Sequence, residues 1–187
     1  MKIIGVAGSL RSASYNRALL ESCRPLLPGN VELETRDLHG IPLYDGDLEA
    51  EHGIPAPVQS LKEAFATSDA ILIATPEYNS GMPGVMKNAI DWCSRPNSDL
   101  HRVFGDKPLA IMGATPGPWG TRLAQASYLP VFRSLGVTPW TQGQMYVARA
   151  NEVFRDGQIV DEATAKKLEN FLTGFLRFAR AVMRPSE

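Results

Sequence analysis

Ile3-Ile4-Gly5-Val6-Ala7-Gly8-Ser9-Leu10-Arg11-Ser12-Ala13-Ser14-Tyr15-Asn16 is an apolar run that breaks into a turn rich in hydroxyls, with a guanidinium and an amide. Near-continuous apolarity in so short a run marks a strand covered on both faces. Ser14 and Asn16 are helix-start residues, so the turn leads from a buried strand into a helix. Free N–H groups and a positive dipole end at a helix start favour an anion. Ser9, Arg11, Ser14 and Asn16 add side-chain donors to the same turn. A plain N-cap needs one such residue and leaves Arg11 to solvent, whereas four donors fit a phosphate. The turn lacks both the G-x-G-x-x-G fingerprint and the Gly-Lys-Ser/Thr of a Walker loop, which points to a terminal monoester phosphate.

Apolar runs at 70–74 and 109–113 repeat the strand pattern, while 31–35 alternates and reads as an edge strand. Residues 137–146 supply a fifth strand, with Pro139 acceptable at an edge. Amphipathic stretches at 16–27, 57–68, 83–94, 121–135 and 163–183 predict helices between them; Pro57 and Pro83 mark starts and Gly136 a stop. Strand and helix alternating in this way predict a single α/β domain over 1–187, a three-layer sandwich with right-handed crossovers. Five parallel strands suit the flavodoxin-like order 2-1-3-4-5, whose ligand crevice lies beyond the carboxyl ends of strands one and three.

Composition narrows the classes. With 187 residues, 44% apolar content and a net charge of -1, the chain has material for one buried core and no field that would steer nucleic acid. No apolar run approaches the ~20 residues that cross a bilayer, and the segment from Met1 reads as a strand rather than a leader, so a cytoplasmic location is expected. Cys23 and Cys93, far apart, read as buried small apolar residues, and His39, His52 and His101 are isolated, so no metal site is expected. Ser9 lacks the second glycine of a nucleophile elbow, and no His is placed as its base.

The second unusual loop, Thr75-Pro76-Glu77-Tyr78-Asn79-Ser80-Gly81-Met82-Pro83-Gly84, follows the third strand. Its prolines and glycines fix an exposed backbone whose N–H and C=O groups can read the polar edge of a heterocycle, with Tyr78 or Met82 over an apolar face. An ordinary βα turn is the plainer reading, and Glu77 as a base lacks an evident partner. A third loop, 113–120, carries Trp119, which could narrow a ring pocket, stack on a ligand or pack against another subunit.

Gly-Ser-Leu-Arg-x-x-Ser-x-Asn after strand one, Pro-Glu-Tyr-Asn-x-Gly-x-Pro-Gly after strand three, and Lys87-Asn88-Ala89-Ile90-Asp91-Trp92 together resemble the NADPH-dependent FMN reductase family, which includes bacterial quinone, chromate and azo-dye reductases. The resemblance runs in order along nearly the whole chain. It implies FMN phosphate on Ser9, Arg11, Ser14 and Asn16 and the isoalloxazine against Pro76, Glu77, Tyr78 and Asn79. It further implies NADPH or NADH as donor, a quinone, flavin, chromate or azo acceptor, and no catalytic side chain, since the flavin carries the chemistry. Family members associate through the helices after strands three and four, which implies a homodimer or homotetramer through 83–94 and 121–135, with Arg122, Gln125 and Tyr128 near the contact. A polar helix face is the alternative for those three. An FMN-binding electron carrier or a flavin-binding regulatory module would use the same cradle without NAD(P)H turnover.

Overall fold

The computed structural model describes residues 1–183. Its main sheet is parallel and ordered as expected, with β2 (Glu32–Arg36) at one edge, then β1 (Lys2–Ala7), β3 (Ala70–Ala74) and β4 (Pro108–Ala114). Two short pieces, β5 (Thr138–Pro139) and β6 (Met145–Val147), both pair with β4 at the other edge. Side chains of a strand alternate between faces, so the same runs feed two cores. Ile3, Leu72 and Met112 face α1 (Tyr15–Glu21) and α9 (Glu162–Val182), meeting Leu19, Leu168, Phe171 and Phe175. Ile4, Ile71, Ile73 and Leu109 face α3 (Ala56–Ala66), α4 (Gly84–Cys93), α5 (Leu100–Phe104) and α7 (Leu129–Leu135).

Several expected elements are shorter or broken. The first helix ends at Glu21 rather than 27, and Pro25 sits in a separate 3-10 turn, Arg24–Leu26. The expected helix 121–135 is two, α6 (Arg122–Ser127) and α7, because Pro130 at the start of the second supplies no N–H to continue the first. The fifth strand is interrupted because Trp140 turns inward. Its ring lies 5.0 Å from Phe171, and a Cβ on Gly143 or Gly174 would stand 2.1 or 2.7 Å from the indole.

Several features, the short helix α5 among them, escaped the sequence pattern. Helix α2 (Gly46–His52), capped by Asp45, buries no residue and so leaves no apolar period to read. The short α8 (Ala150–Val153) leads into an antiparallel hairpin, β7 (Phe154–Arg155) and β8 (Gln158–Ile159). Its turn residues Asp156 and Gly157 both take positive φ, 50° and 76°. Asp-Gly is a strong signal for such a turn. Neither Cys23 nor Cys93 is paired; both are buried, and burial raises each thiol to about 12.

Candidate functional site

The carboxyl ends of β1, β3 and β4 carry the three loops singled out above, and backbone hydrogen bonds continue past the strands to seat them. Gly8 N–H donates to Ala74 O at 2.8 Å, Thr75 N–H to Met112 O at 2.9 Å and Thr115 N–H to Val147 O at 3.0 Å. The loops touch at their bases. A Cβ on Gly8 would lie 3.1 Å from Pro76 Cδ, and one on Gly113 would meet Thr121 Oγ1 at 2.0 Å and the Thr75 carbonyl at 2.3 Å. Glycine at 113 is therefore required by close approach of the second and third loops.

In the first loop Ser9 and Ser14 are buried while Leu10, Arg11, Ser12 and Ala13 are exposed. Ser14 is the N-cap of α1, its Oγ accepting from Arg17 N–H at 3.3 Å, and Ser9 Oγ accepts from Arg11 N–H at 3.4 Å. Among the described residues, the N–H groups of Leu10, Ser12 and Ala13 have no acceptor and Arg11 forms no ion pair. A turn with unused donors, two hydroxyls and a free guanidinium is chemically suited to a phosphate dianion. Asn16 takes a different part. Its Nδ2 donates to Ala114 O and its Oδ1 accepts from Ala114 N–H, both at 2.9 Å. Wholly buried, it ties α1 to the end of β4 and leaves one Nδ2–H uncommitted.

The second loop folds on itself. Tyr78 and Gly81 exchange N–H···O bonds of 3.2 and 3.1 Å, and Asn79 and Ser80 between them have φ of 49° and 61°. Pro76 is buried at the base and Tyr78, 48% exposed, stands at the rim. The N–H groups of Glu77 and Asn79 have no acceptor among the described residues, as a loop that reads a heterocycle edge requires. The Glu77 carboxylate does have a partner: its Oε2 accepts from Leu123 and Ala124 N–H at 2.9 and 3.0 Å, satisfying the first turn of α6. Farther along, Met82 N–H donates to Ser127 Oγ at 3.0 Å, so the loop lies along the length of α6.

Three buried residues, Thr75, Gln125 and Tyr128, lie beneath this arrangement. Thr75 is fully buried, its hydroxyl receiving a 2.9 Å hydrogen bond from Tyr128, whose phenol is raised above its usual range by burial. Gln125 is also buried, donating to Thr121 Oγ1 and Met145 O. Gln125 and Tyr128 are thus core struts, not a surface contact, and of the three residues expected there only Arg122 is exposed, its guanidinium 5.2 Å from the Tyr146 ring. Among the described residues no group of His, Cys, Asp and Glu could hold a metal, and no helix is long and apolar enough to cross a membrane.

The sequence matches the NADPH-dependent FMN reductase family over residues 1–152. It is 38% identical over 181 residues to an NAD(P)H-dependent FMN reductase of Pseudomonas aeruginosa, covering 96% of each chain. It is 37% identical to a 2-hydroxy-1,4-benzoquinone reductase of a Burkholderia species, covering 96% of this chain and 97% of that one. Among solved structures, the flavoenzyme NAD(P)H:(acceptor) oxidoreductase FerB of Paracoccus denitrificans superposes with a TM-score of 0.86 at 34% identity, over 96% of this chain and 97% of that one. An archaeal flavodoxin, 14% identical with a TM-score of 0.61 over 98% of this chain and 100% of its own, shares the fold.

Proposed function

Because the chain belongs to the NADPH-dependent FMN reductase family, we propose that it binds FMN across this crevice, oxidises NADPH or NADH with it, and reduces small acceptors such as quinones, flavin, chromate or azo compounds. The observation that carries this reading is the pairing of a donor-rich turn with a heterocycle-type turn on adjacent strands, pressed together where Gly8 meets Pro76. The names of the Pseudomonas and Burkholderia relatives support the donor and the quinone class. Residues 1–187 would act as one domain, and a cytoplasmic location goes with a pyridine-nucleotide donor.

Each residue has a role in this account. Ser9, Arg11 and Ser14, with the free N–H groups around them, hold the phosphate, and Asn16 keeps that turn fixed against β4. Pro76 floors the ring site, the N–H groups of Glu77 and Asn79 donate to the polar edge of the ring, and Tyr78 covers its side. Bound FMN supplies the redox chemistry, accepting hydride from NAD(P)H and giving electrons to the acceptor. The Glu77 side chain, committed to α6, orients the loop and moves no proton. Donor and acceptor reach one exposed face in turn, so double-reciprocal plots are expected to be parallel; intersecting lines would require both to be bound together.

The absorption spectrum of the purified protein tests the proposal. A flavin band that bleaches on anaerobic addition of NADPH or NADH is expected. A colourless protein that takes up no FMN would overturn the reading, and a band that neither nucleotide bleaches would favour an electron carrier or regulatory module. Association as a homodimer or homotetramer through α4 and α6–α7 belongs to the same proposal. Its support is Leu123 and Leu129, 54% and 52% exposed on the outer side of α6–α7. Light scattering at micromolar concentration reads the mass directly.

A further inference from the structure

Trp119 combines a fixed backbone with an unfixed side chain. Its loop is tied on the side that precedes the indole: Gly117 N–H reaches Thr115 Oγ1 at 3.3 Å, Arg149 N–H reaches Gly117 O at 3.1 Å and Ala150 N–H reaches Thr115 O at 3.0 Å. Gly120, at φ 65°, lies so close to Tyr146 that a Cβ would meet that residue's Cβ at 2.8 Å, and the next residue, Thr121, is fully buried. Yet the indole at the apex is 68% exposed, whereas Trp92 and Trp140 are 0% and 8% exposed. The loop rises beside the ring loop, joined to it where Gly113 abuts Thr75 and again where Glu77 receives Leu123 and Ala124 N–H. A large aromatic is therefore exposed on a closely packed loop that adjoins the ring loop.

We propose that Trp119 is the specificity-determining platform of the acceptor site, its indole face stacking on a planar, electron-poor acceptor of the quinone class. This rests on the flavin-reductase reading above. The chemistry of the ring selects the occupant: an indole face is rich in π density and pairs well with an electron-poor quinone ring, and poorly with a dihydronicotinamide, which is itself electron-rich. A loop that is already packed loses little freedom when the ligand arrives, so the stacking energy is retained as affinity.

The test uses the FMN-loaded protein with Trp119→Ala and Trp119→Phe. For 1,4-naphthoquinone, Trp119→Ala is expected to raise KM about tenfold, with Trp119→Phe recovering most of the loss. Turnover with ferricyanide, an octahedral ion that cannot stack, should fall far less than turnover with naphthoquinone. Calorimetric titration of the oxidised protein with 1,4-naphthoquinone, without NAD(P)H and so without turnover, should show the same roughly tenfold weakening. Equal losses with naphthoquinone and ferricyanide, or unchanged naphthoquinone binding, would overturn the proposal. So would a Trp119 emission shielded from acrylamide at high protein concentration and exposed on dilution, since a second copy would then cover the indole. A protein that binds naphthoquinone through Trp119 but fails to oxidise NAD(P)H would count against the reductase reading and leave the stacking intact.

Discussion

Arg11 and Asn16 are both polar residues of one turn, and the structure separates their work. Arg11 is exposed and unpaired among the described residues, free to meet an anion; Asn16 is 2% exposed and bonded twice to Ala114. Arg11→Ala is expected to weaken FMN binding by roughly 1.5 to 3 kcal/mol, the range of a charge-assisted hydrogen bond, while leaving Tm nearly unchanged. Flavin fluorescence titration reads the first quantity and calorimetry the second. Asn16→Ala reverses the pattern at its root: the Ala114 N–H and C=O are left without partners in a buried place, at a cost to folding of about 2 to 4 kcal/mol, so Tm itself falls. The sequence made the donor set of this turn legible, but could not tell a ligand contact from a brace. An asparagine near a helix start reads the same whether its amide faces an anion or a strand end 98 residues away. Glu77 is obscure for a similar reason, because its partners are backbone N–H groups 46 and 47 residues away, which no local pattern pairs with it.

At the scale of elements, the buried strands and α9 were legible because each writes its burial into the sequence. Central strands are apolar throughout, and the helix repeats Leu168, Phe171, Leu172, Phe175 and Ala179 at intervals of three and four. α2 has no fully buried residue and α5 is only 5 residues long, and neither left such a trace. α5 buries Val103 and Phe104 against the core and is held by charge as well. Lys62, 2% exposed on α3, pairs with Asp99 at 2.9 Å and also donates to Arg95 O, and Arg102 bridges Asp99 and Glu63. Hydrogen bonds from Arg102 and Lys62 hold the Asp99 carboxyl well below the usual carboxylate range. A carboxylate whose folded pKa is depressed adds stability at pH values above its unfolded pKa of about 3.9 and loses it as pH falls below that value. Asp99→Asn is therefore expected to lower Tm at neutral pH and to flatten the loss of stability below about pH 4. Thermal melts across pH 2.5 to 7 give both; an unchanged acid limb would remove Asp99 from the account.

For the whole molecule, the sheet order decides where function can sit. Loops from β1, β3 and β4 converge at one end, and the two cores below them, one on each face, make that end rigid. A ligand bridging these loops must stabilise the fold it bridges. At a hundredfold excess over Kd the linkage is about 2.7 kcal/mol, which for a domain of this size is a rise in Tm of roughly 5 to 10 °C with FMN. Under the proposed function, the turn from Ser9 to Ser14 is expected to hold the FMN phosphate. Titrating apo-protein with FMN and with riboflavin, which share the ring and differ in the phosphate, isolates that contact. FMN is expected to bind about a hundredfold or more tightly than riboflavin, since several charge-assisted bonds are lost with the phosphate, and Arg11→Ala should narrow the gap. Equal affinities for the two flavins would mean that the phosphate lies elsewhere and that the turn is only the start of a helix.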